Sequence, residues 1–258
     1  MSSRQEKLEA FGRLLDIMDD LREKCPWDKK QTFESLRPLT IEETYELADA
    51  ILENDSVEIK KELGDLLLHI VFYAKIGSET QSFDVKDVMD SLCDKLIHRH
   101  PHIYGDVVAD DEEAVKANWE KLKIKEGNQS VLQGVPKSLP SLVKASRIQD
   151  KAKAVGFDWE NADQVWEKIQ EELVELQKEI KDKSSKSEIV SEFGDVLFSL
   201  INYARFLDID PDEALEKTNK KFISRFQFIE TKALESNRSI PDLSLEEMNL
   251  YWNQAKIK

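Results

Sequence analysis

The chain has 258 residues and a formal net charge of -15, long enough for one large or two medium domains and too acidic for a duplex nucleic acid partner without a local basic patch. Seven prolines, eight glycines and 34% charged residues suit an ordered, helix-rich protein, and no apolar run reaches the length of a membrane span. Cys25 and Cys93 lie far apart without metal-ligand spacing, which argues against a disulfide framework and for reduced packing residues.

Residues 4–22 form an amphipathic helix, with Leu8, Phe11, Leu15 and Met18 on one stripe. The start of the chain has no apolar core of signal-peptide type, so a cytoplasmic protein is expected. Cys25-Pro26-Trp27-Asp28 interrupts the helix. A second helix is predicted to begin at Thr40, because Thr40-x-x-Glu43 matches a capping box. A break near Asn54-Asp55-Ser56 leads into a long apolar-rich helix ending near Gly77. Another covers 82–99 and stops at His100-Pro101, and a further one covers 111–126. Residues 127–140 collect Gly and Pro without helical period, so modules 1–127 and 141–258 are expected, joined by a linker at 128–140. Helices are then predicted at about 141–154, 162–182, 187–207, 212–234 and 245–256, with a break at Gly156-Phe157-Asp158-Trp159. Alternating strand patterns are essentially absent, and the fold reads as all-α.

The two halves repeat one acidic pattern. Glu42-Glu43-x-x-Glu46 precedes Glu62-Leu63-Gly64-Asp65, and Glu171-Glu172-x-x-Glu175 precedes Glu192-Phe193-Gly194-Asp195. Residues three apart share a helix face, so each pair is a two-pronged oxygen ligand. The pairs centre on 44.5 and 63.5 in one copy and on 173.5 and 193.5 in the other. Their midpoints, 54 and 183.5, fall in the turns Asn54-Asp55 and Lys183-Ser184. An antiparallel hairpin pairs residues equidistant from its turn, so each hairpin should bring four carboxylates to one level. Carboxylates so clustered repel one another unless a cation neutralises them, and an all-oxygen set suits Mg²⁺. Gly64 and Gly194 cost roughly 1 kcal/mol each inside a helix, which suggests close helix packing beside the site. The repeat continues: Lys95-x-x-x-Arg99 matches Lys221-x-x-x-Arg225, and Trp119-x-x-x-Lys123 matches Trp252-x-x-x-Lys256.

These residues, with Cys-Pro-Trp-Asp, Arg-His-Pro-His and Val-Gly-Phe-Asp-Trp in the same order, resemble the MazG nucleoside triphosphate pyrophosphohydrolases over nearly the whole chain. The resemblance implies tandem MazG-like helical modules, with carboxylate-lined hairpins in a core of four-helix-bundle type. It implies Mg²⁺-dependent cleavage of nucleoside triphosphates to monophosphate and pyrophosphate, with Mn²⁺ as a substitute ion. It further implies broad base tolerance, a homodimer, and catalysis in the C-terminal module. The family's association with stress and toxin–antitoxin regulation leaves room for a house-cleaning role and a regulatory protein partner.

Lys168 lies four residues before Glu172, where it could reach a phosphate, whereas the matching position in the first half is Leu39, expected just outside the helix. Thr40 would also draw Glu43 into helix capping, in competition with a metal. The expected metal ligands are therefore Glu172, Glu175, Glu192 and Asp195, with Glu171 or Glu192 activating water. Lys168, Lys221 and Arg225 are expected on phosphate oxygens, Trp252 on the base and Lys256 beside it. Glu43, Glu46, Glu62 and Asp65 form a second, less favoured cage. Carboxylate-bridged di-iron bundles use Glu-x-x-His, but His69 follows Asp65 only in the first copy, and His98, His100 and His102 cluster in that half alone. A non-enzymatic nucleotide-sensing or partner-binding module and a related all-α pyrophosphatase specialised for one nucleotide, such as dUTP, are the remaining alternatives.

Overall fold

A computed structural model of the chain describes residues 1–105, 115 and 130–256. The regular secondary structure among these residues is helical, in two compact units, Met1–Asp110 and Asp111–Lys258. The helix expected at 111–126, with Trp119 and Lys123, lies outside the described residues; the part of the expected linker that is described, 130–140, carries turns and no helix.

In the first unit α1, Arg4–Lys24, starts from a capping box between Ser3 and Glu6. A single 3₁₀ turn, Asp28–Lys30, follows. Helix α2 is Phe33–Leu52, seven residues earlier in its start than the capping box at Thr40 predicted. Its cap is Thr32, whose side chain accepts from the Ser35 amide at 3.2 Å while Ser35 Oγ accepts from the Thr32 amide at 2.8 Å. Pro38 sits inside the helix, removing one amide donor without ending it. Leu39 and Thr40 are therefore interior helix residues, and Glu43 is not engaged in capping. Asn54 turns the chain at φ 55°, and Asp55 caps α3, Ser56–Glu79. Helix α4, Val85–Arg99, starts from an Asp84–Asp87 capping box, and Pro101 opens the short α5, Pro101–Tyr104. Met18, Leu36, Val71, Phe72 and Ile76 form the core where α1 meets the α2–α3 hairpin. Each such burial stabilises by about 1.5–3 kcal/mol, so this layer holds the hairpin's inner face.

The second unit contains α6, Ser141–Lys153, α7, Ala162–Lys181, and α8, Lys186–Phe206. It continues with α9, Pro211–Glu235, and α10, Leu245–Ala255. Helices α7 and α8 form a hairpin whose turn puts Lys183 at φ 55°, matching Asn54 in the first unit. Gln149 of α6 donates to the Phe198 carbonyl at 2.8 Å, fixing α6 against α8. Arg205, near the end of α8, grips Asp158 in the loop before α7 with two hydrogen bonds. Helices α9 and α10 pack through Ile229, Ala233 and Leu243, with Phe226, Met248, Tyr251 and Trp252 around them.

Candidate functional site

Helix α7 buries Val165, Ile169, Glu172 and Leu176. Their spacing of four, three and four makes one stripe, so Glu172 occupies a position that the periodicity assigns to the core. A carboxylate there is costly unless a cation or hydrogen-bond donors compensate it. Oxygen atoms of Glu172, Glu192 and Asp195 lie within 4.8 Å of one another. Glu175 stands one turn beyond Glu172 and acts on this group electrostatically. Partial burial first, then the charges of Glu175, Asp195 and Glu172, push the Glu192 carboxyl above its usual range. Lys168 bridges Glu171 and Glu172, its Nζ 2.8 Å from an oxygen of each, and these bonds hold the ammonium protonated well above the usual lysine range.

The first unit builds its own cage. Oxygens of Glu43, Glu62 and Asp65 lie within 4.8 Å of one another. Glu62 is 2% exposed. Its Oε1 accepts from Lys61 Nζ at 2.8 Å, while its Oε2 is buried without a hydrogen-bond partner. Burial, then the charges of Asp65 and Glu46, raise the Glu43 carboxyl. The lysine clamp on the central glutamate thus occurs in both units from different positions. Lys61 belongs to α3 and corresponds to Ser191; Lys168 belongs to α7 and corresponds to Leu39. One turn from the first cage Thr40 Oγ1 is a hub. It donates to the Leu36 carbonyl at 3.1 Å and contacts His69 Nδ1 at 2.8 Å and the Tyr73 hydroxyl at 2.6 Å. Burial lowers the pKa of the His69 imidazole, against the opposing pull of Asp65. Neither this hub nor Lys61 was anticipated from the sequence.

Gly64 and Gly194 do not mark close helix packing among the described residues: a Cβ at either position would meet nothing within 4 Å there. All-oxygen donor sets fit a hard dication in both cages, and in the first the orphaned oxygen of Glu62 adds to that fit.

The expected phosphate and base contacts group differently. Lys217 and Lys232 of α9 are paired with Glu213 and Glu235. Lys221 and Arg225, between them, have no carboxylate partner among the described residues. The Arg225 guanidinium lies 5.4 Å from the centre of the Trp252 ring, and Phe222 packs on the same indole at 5.1 Å. Trp252 therefore belongs to the α9–α10 packing. Lys256 donates to Asn253 at 3.1 Å. The structure brings Arg225 and Trp252 together and brings the three carboxylates of α7 and α8 together, and it ties Lys168 to the carboxylates.

Twin helix hairpins, each carrying a cluster of three carboxylates that could hold a metal ion, define a duplicated all-α protein. The chain belongs to the family of the MazG nucleotide pyrophosphohydrolase domain, whose model matches residues 31–104 and 161–227, one span over each cage. It is 42% identical to the nucleoside triphosphate pyrophosphohydrolase/pyrophosphatase MazG of Thermotoga maritima, over 95% of each chain. It is 40% identical to the nucleoside triphosphate pyrophosphohydrolase of Escherichia coli strain K12, over 96% of this chain and 98% of that one. The Bacillus subtilis protein YabN is 45% identical over 98% of this chain, which spans 53% of YabN.

Proposed function

We propose that the chain hydrolyses nucleoside triphosphates to nucleoside monophosphate and pyrophosphate at the cage of its second unit, with broad base tolerance, using Mg²⁺ or Mn²⁺. The observation that carries the proposal is Glu172 in a core position, its oxygen within 4.8 Å of Glu192 and Asp195. The names of the relatives from Thermotoga maritima and Escherichia coli support the same chemistry. Glu172, Glu175, Glu192 and Asp195 would hold the ion, which supplies charge neutralisation for the triphosphate. Glu192 or Glu171 accepts the proton of the attacking water, Glu192 from within the cage and Glu171 from its rim. Lys221 and Arg225 bind phosphate oxygens and stabilise charge on the departing pyrophosphate; that neither pairs with a carboxylate among the described residues supports this role. Lys168, already at the cage, adds a third cation. Trp252 stacks on the base, and Lys256 contacts the same end of the nucleotide.

The active species is a homodimer. Apolar side chains left exposed at matching positions support it: Leu63, Leu67 and Ile70 on α3, and Phe193, Leu197 and Leu200 on α8. A cytoplasmic house-cleaning or stress-response role and a regulatory protein partner belong to this proposal as its physiological side.

The test is incubation with Mg²⁺ and a panel of nucleoside triphosphates, with products read by phosphorus NMR. Monophosphate plus pyrophosphate is the expected result. Diphosphate plus phosphate would place the cut at the other anhydride and overturn it, and nucleotide bound without turnover would favour a sensor. Glu175→Gln should lower turnover by about 100-fold or more while the circular dichroism spectrum is kept.

A further inference from the structure

We infer that the cage of the first unit is a site for a borderline transition-metal dication, completed by His69, and differs in metal preference from the all-oxygen cage of the second unit. The acidic cluster is not the only observation. Glu62 Oε2 is buried and without a partner, so the folded chain leaves unmet a demand for a cation or a donor at that point. Asp65 and His69 are four residues apart on α3, and Thr40 and Glu43 three apart on α2. The imidazole therefore stands one helical turn from the carboxylates, on the faces that build the cage.

Hydrogen-bond accounting fixes the ring's chemistry. Thr40 has one hydroxyl proton and makes three close contacts. All three are hydrogen bonds in one arrangement: Thr40 donates to the Leu36 carbonyl, and both His69 Nδ1–H and the Tyr73 hydroxyl donate to Thr40 Oγ1. Nε2 is then an unprotonated nitrogen with no partner among the described residues. A metal-ligating imidazole has this form, one nitrogen anchored through its N–H and the other free. The ring lies outside the tight carboxylate group, so an ion would draw Asp65 and His69 towards a shared position.

The second unit has no equivalent. Position 199, the counterpart of His69, is Ser, and position 169, the counterpart of Thr40, is Ile. Carboxylates with one imidazole suit Mn²⁺, Fe²⁺, Co²⁺ or Zn²⁺, whereas carboxylates alone suit Mg²⁺. This inference is independent of which nucleotide, if any, the second unit cleaves.

The experiment titrates Co²⁺ alone into the full chain carrying Asp195→Asn, which disables the second cage, and follows the visible absorption of bound Co²⁺. One tightly bound ion that excess Mg²⁺ does not displace is expected. In the same background Glu62→Gln, His69→Ser and His69→Gln should each weaken Co²⁺ binding by about tenfold or more. Gln keeps an N–H donor for Thr40, so His69→Gln separates loss of the ligand from loss of the fold, and a chelator-treated melt checks that the fold remains. Unchanged Co²⁺ affinity in His69→Gln would overturn the inference. So would displacement by equimolar Mg²⁺, or Co²⁺ binding that survives Glu62→Gln.

Discussion

Replacing Glu62 with Gln should stabilise the metal-free protein, although it removes a charge that Lys61 contacts. In the native chain Oε1 of Glu62 is satisfied by Lys61 and Oε2 by nothing. An unsatisfied buried polar atom costs about 1–3 kcal/mol. The amide keeps an oxygen for Lys61 and turns an N–H towards the oxygens of Glu43 and Asp65, which lie within 4.8 Å of the cage position. The orphan becomes a donor between two acceptors, and one of three mutually repelling charges disappears. A gain of about 1–3 kcal/mol corresponds to roughly 4–12 °C in the transition of a unit of this size. Metal should cancel or reverse the gain, because a dication at 100 times its dissociation constant stabilises the wild-type chain by about 2.7 kcal/mol and has little to hold it in the variant. Differential scanning calorimetry with EDTA and then with saturating Co²⁺ gives both numbers. If Glu62→Gln unfolds at a lower temperature than the wild type in EDTA, the carboxylate is not an uncompensated burden and the reasoning fails.

The metal-free protein should also respond to pH in an uncommon direction. The Glu43 and Glu192 carboxyls are raised by burial and by their acidic neighbours, so the native state takes up protons before the unfolded state does. Their contribution to stability is present below the ordinary glutamate range and is lost as pH rises through the raised range, so melts in chelator should move up on mild acidification from neutrality. Glu247 runs the other way: Arg238 and the Ser244 cap hold it at about 2, so its contribution is lost only as pH falls towards that value. Gly194→Ala should stabilise α8 by about 0.5–1 kcal/mol in denaturant titrations, since a Cβ meets open space there; destabilisation would mean that another chain or a ligand approaches that backbone. Arg205→Ala should cost about 1.5–3 kcal/mol, because it releases both Asp158 and Asn202 from a largely covered guanidinium, and urea titration would read the loss.

The cages were legible because their signal is arithmetic. Two acidic pairs equidistant from a turn must meet if the turn is a hairpin, and Asn54 and Lys183, both left-handed, supply those turns. The start of α2 was misread because Thr40-x-x-Glu43 imitates a capping box, whereas the box in use pairs Thr32 with Ser35, a shorter partner outside the usual Glu or Gln pattern. The same Thr40 then serves a hub whose members lie 29 and 33 residues away, a distance at which no local pattern carries information. Lys61 escaped notice because adjacent helix residues do not share a face; its long stem bends back to reach Glu62. Gly64 and Gly194 suggest packing because glycine inside a helix usually has a neighbour to accommodate, and among the described residues no neighbour stands within 4 Å.

The lysine clamps bear on ancestry. Had a single-module ancestor carried the clamp and both copies retained it, the lysines would stand at equivalent positions after duplication. They do not: one lies on α3 and the other on α7, at sites where the opposite copy has Ser191 or Leu39. At least one counter-charge therefore arose after the two copies had separated, around a glutamate that both kept. Exchanging that glutamate for leucine would relieve the burial cost outright. Instead each half carries a buried glutamate with a lysine of its own beside it, so the counter-charge, and not the acid, is what differs between the two copies.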